Sequence, residues 1–123
     1  MPDFTIYIVD DDAAVRDSWR VLLEIEFPRV REFESCQDFL AAFEPTRSGC
    51  LVLDIHMPDM NGFDLMERLK QEGSAIPVIL VTGRTDASIR ARATDLGAVA
   101  LLEKPIEYGE LLAAIERARE SNG

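Results

Sequence analysis

The sequence predicts an α/β fold in which a parallel sheet of five strands is covered by helices on both faces. Short apolar runs alternate five times with stretches whose apolar residues recur at helical spacing. Such alternation is typical of parallel sheets built from strand–helix units. Some of the runs are apolar at every position, which indicates strands that are buried on both faces. The length of 123 residues suits a single domain with one core.

Five apolar runs are the candidate strands. They comprise residues 5–9, 30–33, 50–53, 78–81 and 99–102. The second run, Val30-Arg31-Glu32-Phe33, alternates apolar and charged residues, which favours a place at the edge of the sheet. The three most apolar runs then belong in the middle. The flavodoxin-like strand order 2-1-3-4-5, with right-handed crossovers, satisfies these placements.

Each candidate strand is followed by a stretch that predicts a helix. The candidate N-caps of the first four helices are Asp12, Ser35, Asn61 and either Thr85 or Asp86. The first helix is predicted over 13–26, with Pro28 ending it. The fourth helix is weak in large apolar residues, whereas the last has a clear amphipathic pattern. Residues 119–123 are a possible start of a linker.

Composition excludes several classes of protein. The formal net charge of −10 argues against direct binding of nucleic acid, which needs a basic face. No apolar run approaches the roughly 20 residues needed to cross a membrane, and residues 1–4 show no signal-peptide pattern. We therefore expect a cytoplasmic protein. Cys36 and Cys50 match no metal or redox spacing and are expected to be buried, reduced thiols.

Polar residues follow all five candidate strands, although the second strand, predicted at the edge, contributes only Glu34 and Ser35. Asp10 and Asp11 follow the first strand and Asp54 follows the third. Thr82 follows the fourth strand and Lys104 the fifth. Parallel strands end at a common edge, and ligands bind outside that edge where the strand order reverses, here between the first and third strands. The predicted fold therefore gathers these side chains in one crevice.

The residue types in this crevice suit phosphoryl chemistry. Three neighbouring carboxylates repel one another, so they need a cation or must stay partly protonated. Oxygen ligands suit Mg²⁺, which typically keeps several waters. A metal ion, an ammonium group and a hydroxyl around one carboxylate can stabilise the charge of a phosphoryl group. A carboxylate can also attack phosphorus to give an aspartyl phosphate, and the central Asp54 is the candidate nucleophile.

Four sequence signatures, each at a strand end, resemble those of response-regulator receiver domains in two-component signalling. They are IVDDD at 8–12, LDIHMPDMNG at 53–62, VTG at 81–83 and EKP at 103–105. The resemblance spans essentially the whole chain, so we expect one receiver domain over 1–123. The last three signatures look most like the FixJ-like branch, in which a helix-turn-helix output domain often follows the receiver.

The resemblance implies a set of Mg²⁺ ligands. Asp11 and Asp54 would bind the ion directly, and Asp10 would help largely through water. The backbone carbonyl of His56 would be the third protein ligand. The side chain of His56 is expected at the mouth of the site instead, because Mg²⁺ prefers oxygen ligands.

The resemblance also implies roles in phosphoryl transfer. Asp54 would accept the phosphoryl group from a phosphohistidine of a sensor histidine kinase. Thr82 would move to donate a hydrogen bond to that group, and Lys104 would pair with it. The bond between Lys104 and Pro105 is usually cis in this family. One position departs from the pattern, because Leu101 stands where many receivers have an aromatic ring that moves with the threonine.

The implied function is a switch whose surface, once phosphorylated, controls an output domain or a separate target, in transcription regulation. A C-terminal DNA-binding output domain and a phosphorylation-dependent homodimer are the further partners expected. Phosphotransfer and hydrolysis would be self-catalysed, so we do not expect an enzyme in the usual sense. No contact with a membrane is expected.

Three alternatives stay open at this point. A receiver-like module could bind partners without being phosphorylated. A small aspartyl-phosphate hydrolase of the haloacid-dehalogenase type would need a second acid two residues after the nucleophile, where His56 stands. A flavin-binding module would need a phosphate-cradling loop of small and hydroxyl residues after the first strand, where this chain has three acids.

Overall fold

Strands and helices alternate five times along the part of the chain that the computed structural model describes, residues 4–44 and 48–122. The elements are β1 (Thr5–Val9), α1 (Ala13–Leu23), β2 (Val30–Phe33), α2 (Cys36–Ala42), β3 (Gly49–Asp54), α3 (Gly62–Gln71), β4 (Val78–Thr82), α4 (Ala87–Asp95), β5 (Ala100–Glu103) and α5 (Tyr108–Asn122). All strand pairs are parallel and the order is β2-β1-β3-β4-β5. The predicted fold class and strand order are therefore confirmed.

Burial separates the middle strands from the edge strands. Every residue of β1, β3 and β4 is buried, whereas β2 and β5 contain only partly buried and exposed residues. The charged β2 is at one edge, as its sequence predicts. The complete burial of β1, β3 and β4 therefore reflects their central position, where both faces of a strand are covered. The apolar run at 99–102 lies at the other edge of the sheet as β5, so an apolar run alone does not mark a central strand.

Helices cover both faces of the sheet, and the two sides have separate apolar cores. Successive residues of a strand point to opposite faces, so Ile6 and Ile8 pack with α1 and α5, whereas Tyr7 and Val9 pack with α2, α3 and α4. The core on the side of α2, α3 and α4 includes an aromatic cluster, in which the ring centroids of Tyr7 and Phe39 lie 5.4 Å apart in an edge-to-face arrangement. Removal of this apolar surface from water is the main stabilising contribution to the fold.

The N-caps follow the sequence predictions closely. The side chains of Asp12 and Ser35 accept backbone N–H groups at the starts of α1 and α2. Asn61 forms a reciprocal capping box with Asp64 at the start of α3. Of the two candidates for α4, Asp86 is the cap, because its carboxylate accepts the Ile89 N–H at 2.9 Å.

The prediction for the end of the first helix was wrong by three residues. The helix ends at Leu23, and residues 24–26 form tighter turns, with bonds from the Ile25 N–H to the Leu22 carbonyl and from the Glu26 N–H to the Leu23 carbonyl. Phe27 then enters the core, whereas Ile25 remains 77% exposed. The burial of Phe27 thus redirects the chain before Pro28.

The remaining expectations concern cysteines, membranes and the chain ends. Cys36 and Cys50 are buried and free, as predicted, and burial raises the pKa of each thiol to about 12. Among the described residues, no helix is both long and apolar enough to cross a bilayer. The signal-peptide expectation concerns residues 1–4, of which 1–3 lie outside the described part. Since α5 extends to Asn122 and residue 123 is not described, a linker start at 119–123 stays a prediction.

Candidate functional site

Three strand ends bring two aspartates and a lysine into contact at the carboxyl edge of the sheet. Asp10 follows β1, Asp54 is the last residue of β3, and Lys104 follows β5. The Lys104 ammonium donates to Asp10 Oδ2 at 2.9 Å and to Asp54 Oδ2 at 3.1 Å. We call Asp10, Asp11, Asp54 and Lys104 the acidic crevice. It lies where β1 and β3 are neighbours, at the reversal of strand order that the topology predicts as a ligand site.

The backbone around Asp54 fixes the direction of its carboxylate. Asp54 Oδ1 accepts the N–H of His56 at 3.1 Å, while Oδ2 accepts Lys104, and the residue is only 5% exposed. The loop then returns tightly, since the Gly62 N–H donates to the Ile55 carbonyl at 2.9 Å. A Cβ on Gly62 would lie 2.8 Å from the Asp54 carbonyl oxygen, so this approach requires glycine.

Asp10 is the most enclosed acid of the crevice. It is fully buried, and its Oδ1 accepts the N–H of Asp12 at 2.8 Å. Burial raises the pKa of Asp10 above its usual range, because removal from water penalises the charged form. The bonds from Asp12 and Lys104 act against this rise, and the charge of Asp54 adds to it. Lys104, or a cation in its place, therefore favours the ionised form of this carboxylate.

Lys104 is held in its charged form by the two aspartates. Partial burial alone would lower its pKa, but the hydrogen bond and charge of Asp10, followed by those of Asp54, outweigh burial and raise the pKa above its ordinary value. The peptide bond between Lys104 and Pro105 is cis, as the resemblance implies. The Lys104 N–H also donates to the Thr82 carbonyl at 2.8 Å, which ties the ends of β4 and β5 together.

Three carboxylates form a cluster that could hold a metal ion. One carboxylate oxygen from each of Asp10, Asp11 and Asp54 lies within 4.8 Å of the other two. Asp11 is exposed, whereas Asp10 and Asp54 are buried. An all-oxygen set with one side open to solvent fits Mg²⁺, which keeps several waters. The side chain of His56 is exposed, consistent with a place at the mouth of the crevice. Ligation by the His56 carbonyl stays a prediction.

Thr82 reaches the same edge of the sheet but is engaged with the following loop. Its hydroxyl is buried, donates to the Arg84 carbonyl at 2.7 Å and accepts the Arg84 N–H at 3.2 Å. A move towards a group on Asp54 would therefore have to break the bond to the Arg84 carbonyl. In this conformation Asp54 and Lys104 contact each other, whereas the Thr82 hydroxyl bonds to the loop.

Sequence reasoning did not include Arg16, which contacts the crevice from α1. Its Nη1 donates to the backbone carbonyl of Asp10 at 2.7 Å, and its Nε donates to Glu32 at 3.0 Å. The available signal was weak, because an arginine near a helix N-terminus is commonly solvated and its reach depends on its rotamer.

A cleft opens beside Lys104, between α1 and the loop after β5. Its volume is about 520 Å³, and its lining comprises Ala14, Val15, Ser18, Trp19, Lys104, Pro105 and Ile106. Most of this lining is apolar, and Lys104 forms the end nearest the carboxylates. Lys104 therefore contacts both this cleft and the carboxylates of the crevice.

Comparison with known proteins gives a consistent result. A family model described as the response regulator receiver domain matches residues 6–116. The chain is 42% identical over 113 residues to the transcriptional regulatory protein FixJ of Bradyrhizobium diazoefficiens, covering 92% of this chain and 55% of FixJ. It is 39% identical over 118 residues to the transcriptional regulatory protein TdiR of Thauera aromatica, covering 96% of this chain and 52% of TdiR. The chain thus spans about half the length of these curated relatives.

Solved structures agree with the sequence comparison. The crystal structure of FixJ-N matches with a TM-score of 0.88 at 40% identity, covering 98% of this chain and 96% of that one. Full-length FixJ from B. japonicum matches with a TM-score of 0.87 at 41% identity, covering 99% of this chain and 60% of that one.

Proposed function

Because this chain belongs to the response regulator receiver domain family, we propose that it is a phosphorylation switch centred on Asp54. The carboxylate accepts a phosphoryl group from a sensor histidine kinase, with Mg²⁺ as cofactor. The observation that carries this proposal is the place of Asp54, whose two oxygens are oriented by Lys104 and the His56 N–H beside two further acids. This is a nucleophile aimed into a site that can stabilise charge on a phosphoryl group.

In the proposed metal site, Asp11 and Asp54 would hold Mg²⁺ directly and Asp10 would help largely through water. The His56 backbone carbonyl would be the third protein ligand. When bound, Mg²⁺ offsets the charge of the carboxylates and of the incoming phosphoryl oxygens. The buried Asp10 supports this assignment, because its raised pKa indicates a carboxylate that gains from a nearby cation.

The transfer step uses the carboxylate as the nucleophile. An Asp54 oxygen forms a bond to phosphorus as the bond between phosphorus and the donor imidazole nitrogen breaks, and the imidazole leaves. Lys104, which already contacts Asp54, then pairs with a phosphoryl oxygen. Thr82 exchanges its bond to the Arg84 carbonyl for one to the phosphoryl group. Hydrolysis of the acyl phosphate resets the switch, so the domain acts on itself and is not an enzyme with turnover of an external substrate.

The proposed partners follow from the relatives and from the surface. We propose that the cleft between α1 and the loop after β5, which Lys104 lines, receives part of the sensor kinase beside the crevice. Several relatives are named as transcriptional regulatory proteins and are longer than this chain, which supports a role in transcriptional regulation through a C-terminal DNA-binding output domain or a separate target. A phosphorylation-dependent homodimer and a cytoplasmic location complete the proposal. Direct binding of nucleic acid by this acidic domain is not proposed.

Intact mass spectrometry after incubation with Mg²⁺ and acetyl phosphate tests the proposal. The wild type should gain one base-labile phosphoryl group, about 80 Da, and Asp54→Asn should gain none, because it lacks the carboxylate nucleophile. Asp59→Asn is the matched control, since Asp59 is an exposed acid in the same loop. Chelation of the metal should prevent the gain.

Two outcomes would contradict this function. No gain in the wild type, with acetyl phosphate and then with a sensor kinase, would move the domain to the class of partner-binding modules. A gain that persists in Asp54→Asn would assign the phosphoryl group to another residue.

A further inference from the structure

Arg16 connects three elements around the buried acid of the crevice. Its Nη1 donates to the Asp10 carbonyl at 2.7 Å, and its side chain is only 14% exposed. The Asp10 N–H donates to the Phe33 carbonyl at 3.2 Å. With Oδ1 on the Asp12 N–H and Oδ2 on Lys104, Asp10 is held at both backbone polar atoms and at both carboxylate oxygens.

The guanidinium is itself fixed in orientation. Arg16 Nε donates to Glu32 Oε1 at 3.0 Å, and the other oxygen of Glu32 accepts Arg20 Nε at 2.5 Å. Glu32 belongs to β2 and both arginines belong to α1. The planar guanidinium meets the Asp10 carbonyl and Glu32 with donors in a fixed geometry, whereas the donors of a lysine ammonium rotate freely on a flexible stem.

Arg16 and Lys104 bring positive charge to the same acids in different ways. Lys104 occupies carboxylate oxygens of Asp10 and Asp54, so it competes with a cation for those atoms. Arg16 bonds only to the backbone of Asp10 and leaves its carboxylate oxygens available to a cation.

We propose that Arg16 is a positioning residue for the metal site, which holds Asp10 by its backbone carbonyl so that its carboxylate is already placed for Mg²⁺. The inference rests on the proposed function, because it concerns the same ion. Partners that orient metal-binding groups without touching the metal commonly alter affinity about 10–100-fold when removed. Arg16 acts through Asp10, so its loss should weaken Mg²⁺ binding while Asp54 remains in place.

Calorimetric titration of the protein with Mg²⁺ tests this role. Arg16→Met should weaken Mg²⁺ binding by about tenfold or more, since it removes the guanidinium donors to Asp10 and Glu32 together with their positive charge. Arg16→Lys should recover only part of the lost affinity, because it restores the charge without the fixed geometry of the bonds to the Asp10 carbonyl and Glu32. Arg20→Met is the matched control, because Arg20 shares Glu32 but does not touch Asp10, and its Mg²⁺ affinity should stay within about twofold of wild type.

A second readout needs no metal. The Asp10 carbonyl shares a peptide group with the Asp11 amide nitrogen, so the ¹⁵N chemical shift of Asp11 reports the bond from Arg16. Arg16→Met should move this resonance in metal-free protein, and Arg20→Met should leave it nearly unchanged. Urea unfolding of each variant separates a loss of positioning from a general loss of stability.

The outcomes distinguish this inference from the proposed function. Equal Mg²⁺ affinities for Arg16→Met and Arg20→Met, with binding intact in the wild type, would overturn the role of Arg16 alone. Failure of the wild type to bind Mg²⁺ would overturn the proposed function and this inference with it. Should Arg16→Met be too unstable to assay, Glu32→Leu removes the acceptor that fixes the Arg16 side chain. Weaker Mg²⁺ binding by that variant then supports the role of Arg16, and unchanged binding refutes it.

Discussion

The acidic crevice and the face formed by α4 and β5 are neighbours but are built differently. In the crevice, each oxygen of Asp10 and Asp54 has a defined partner and both residues are buried. On the α4–β5 face, by contrast, only Ala93 of α4 is buried and β5 has no fully buried residue. A cavity of about 470 Å³ opens there. The chemistry is thus held on a well-packed support, whereas the adjoining surface can rearrange at lower cost.

The largest difference in the free energy of unfolding should come from substituting two leucines, one in the buried centre of the sheet and one on the α4–β5 face. Leu80 in β4 and Leu101 in β5 are register partners, but Leu80 is fully buried and Leu101 is partly exposed. Leu80→Ala should lower the free energy of unfolding by about 2–5 kcal/mol, because it leaves a cavity in a closed core. Leu101→Ala should lower it by about 1 kcal/mol, because its methyl groups are already partly in water.

Urea unfolding at one pH measures both variants against the wild type. The comparison fails if Leu101→Ala is as destabilising as Leu80→Ala, since the α4–β5 face would then be packed as tightly as the centre of the sheet.

Substitution of two glycines by alanine should give the next largest effect on stability. A Cβ on Gly62 would approach the Asp54 carbonyl oxygen to 2.8 Å and the Ile55 Cα to 2.9 Å, whereas a Cβ on Gly83 would meet nothing within 4 Å. Gly62→Ala should therefore cost about 1–3 kcal/mol of stability, because backbone must shift to accept the methyl group. Phosphorylation of Asp54 should also slow, since the loop that aims the carboxylate has moved.

Gly83→Ala is the control for the added methyl group and should change stability little. Thermal unfolding and the rate of acyl-phosphate formation measure the two variants side by side. Equal stability of Gly62→Ala and wild type would show that the loop after Asp54 yields more readily than its close contacts indicate.

Substitution of the two lysines of the chain should give a smaller effect on stability, one that depends on Mg²⁺. Lys104→Met should lower metal-free stability by about 1 kcal/mol, because it removes charge-assisted bonds from a partly exposed group. Added Mg²⁺ should restore more stability to this variant than to the wild type, since the acids have lost their internal cation. Lys70→Met, at an exposed site on α3, is the control and should respond to Mg²⁺ as the wild type does.

The stability difference between the wild type and Lys104→Met should depend on pH with a definite sign. The raised pKa of Lys104 keeps its ammonium group charged beyond its ordinary pKa of about 10.4, so the stabilisation should persist through neutral and moderately alkaline pH. It should be lost as the pH rises through the pKa of the folded state. At acid pH the difference between Lys104→Met and wild type should shrink, because Asp10, whose pKa is raised by burial, becomes protonated.

The crevice was more predictable from sequence than the contacts around it. Parallel strands end at one edge, so the convergence of Asp10, Asp54 and Lys104 followed from the strand–helix alternation alone. The role of Arg16 did not, because a long side chain on a helix can reach several partners and only the packed fold selects one. The orientation of the Thr82 hydroxyl was also beyond the sequence, since it depends on the local turn to Arg84.

The last prediction concerns how the crevice acts on the α4–β5 face when Leu101 replaces the usual aromatic ring. Beryllium trifluoride with Mg²⁺, a mimic of the phosphoryl group, should draw Thr82 away from Arg84 and leave that carbonyl without its partner. The nearby Thr85 hydroxyl is buried and has no hydrogen-bond partner within the described part of the chain. With the mimic bound, the 83–88 loop would hold two unsatisfied groups, the Arg84 carbonyl and the Thr85 hydroxyl, which favour rearrangement. The open space around Leu101 could accommodate this rearrangement.

Backbone chemical shifts with and without the mimic measure this change. Shift changes should be larger over residues 82–93 than at β1 residues 5–8, because β1 is buried along its whole length and paired on both sides. Leu101→Phe is an informative partner variant, since a ring would fill the open space and alter the response of the loop. A backbone over 82–93 that stays superimposable in both states would remove the coupling proposed through Thr82. The crevice would then act on its partners through its changed charge alone.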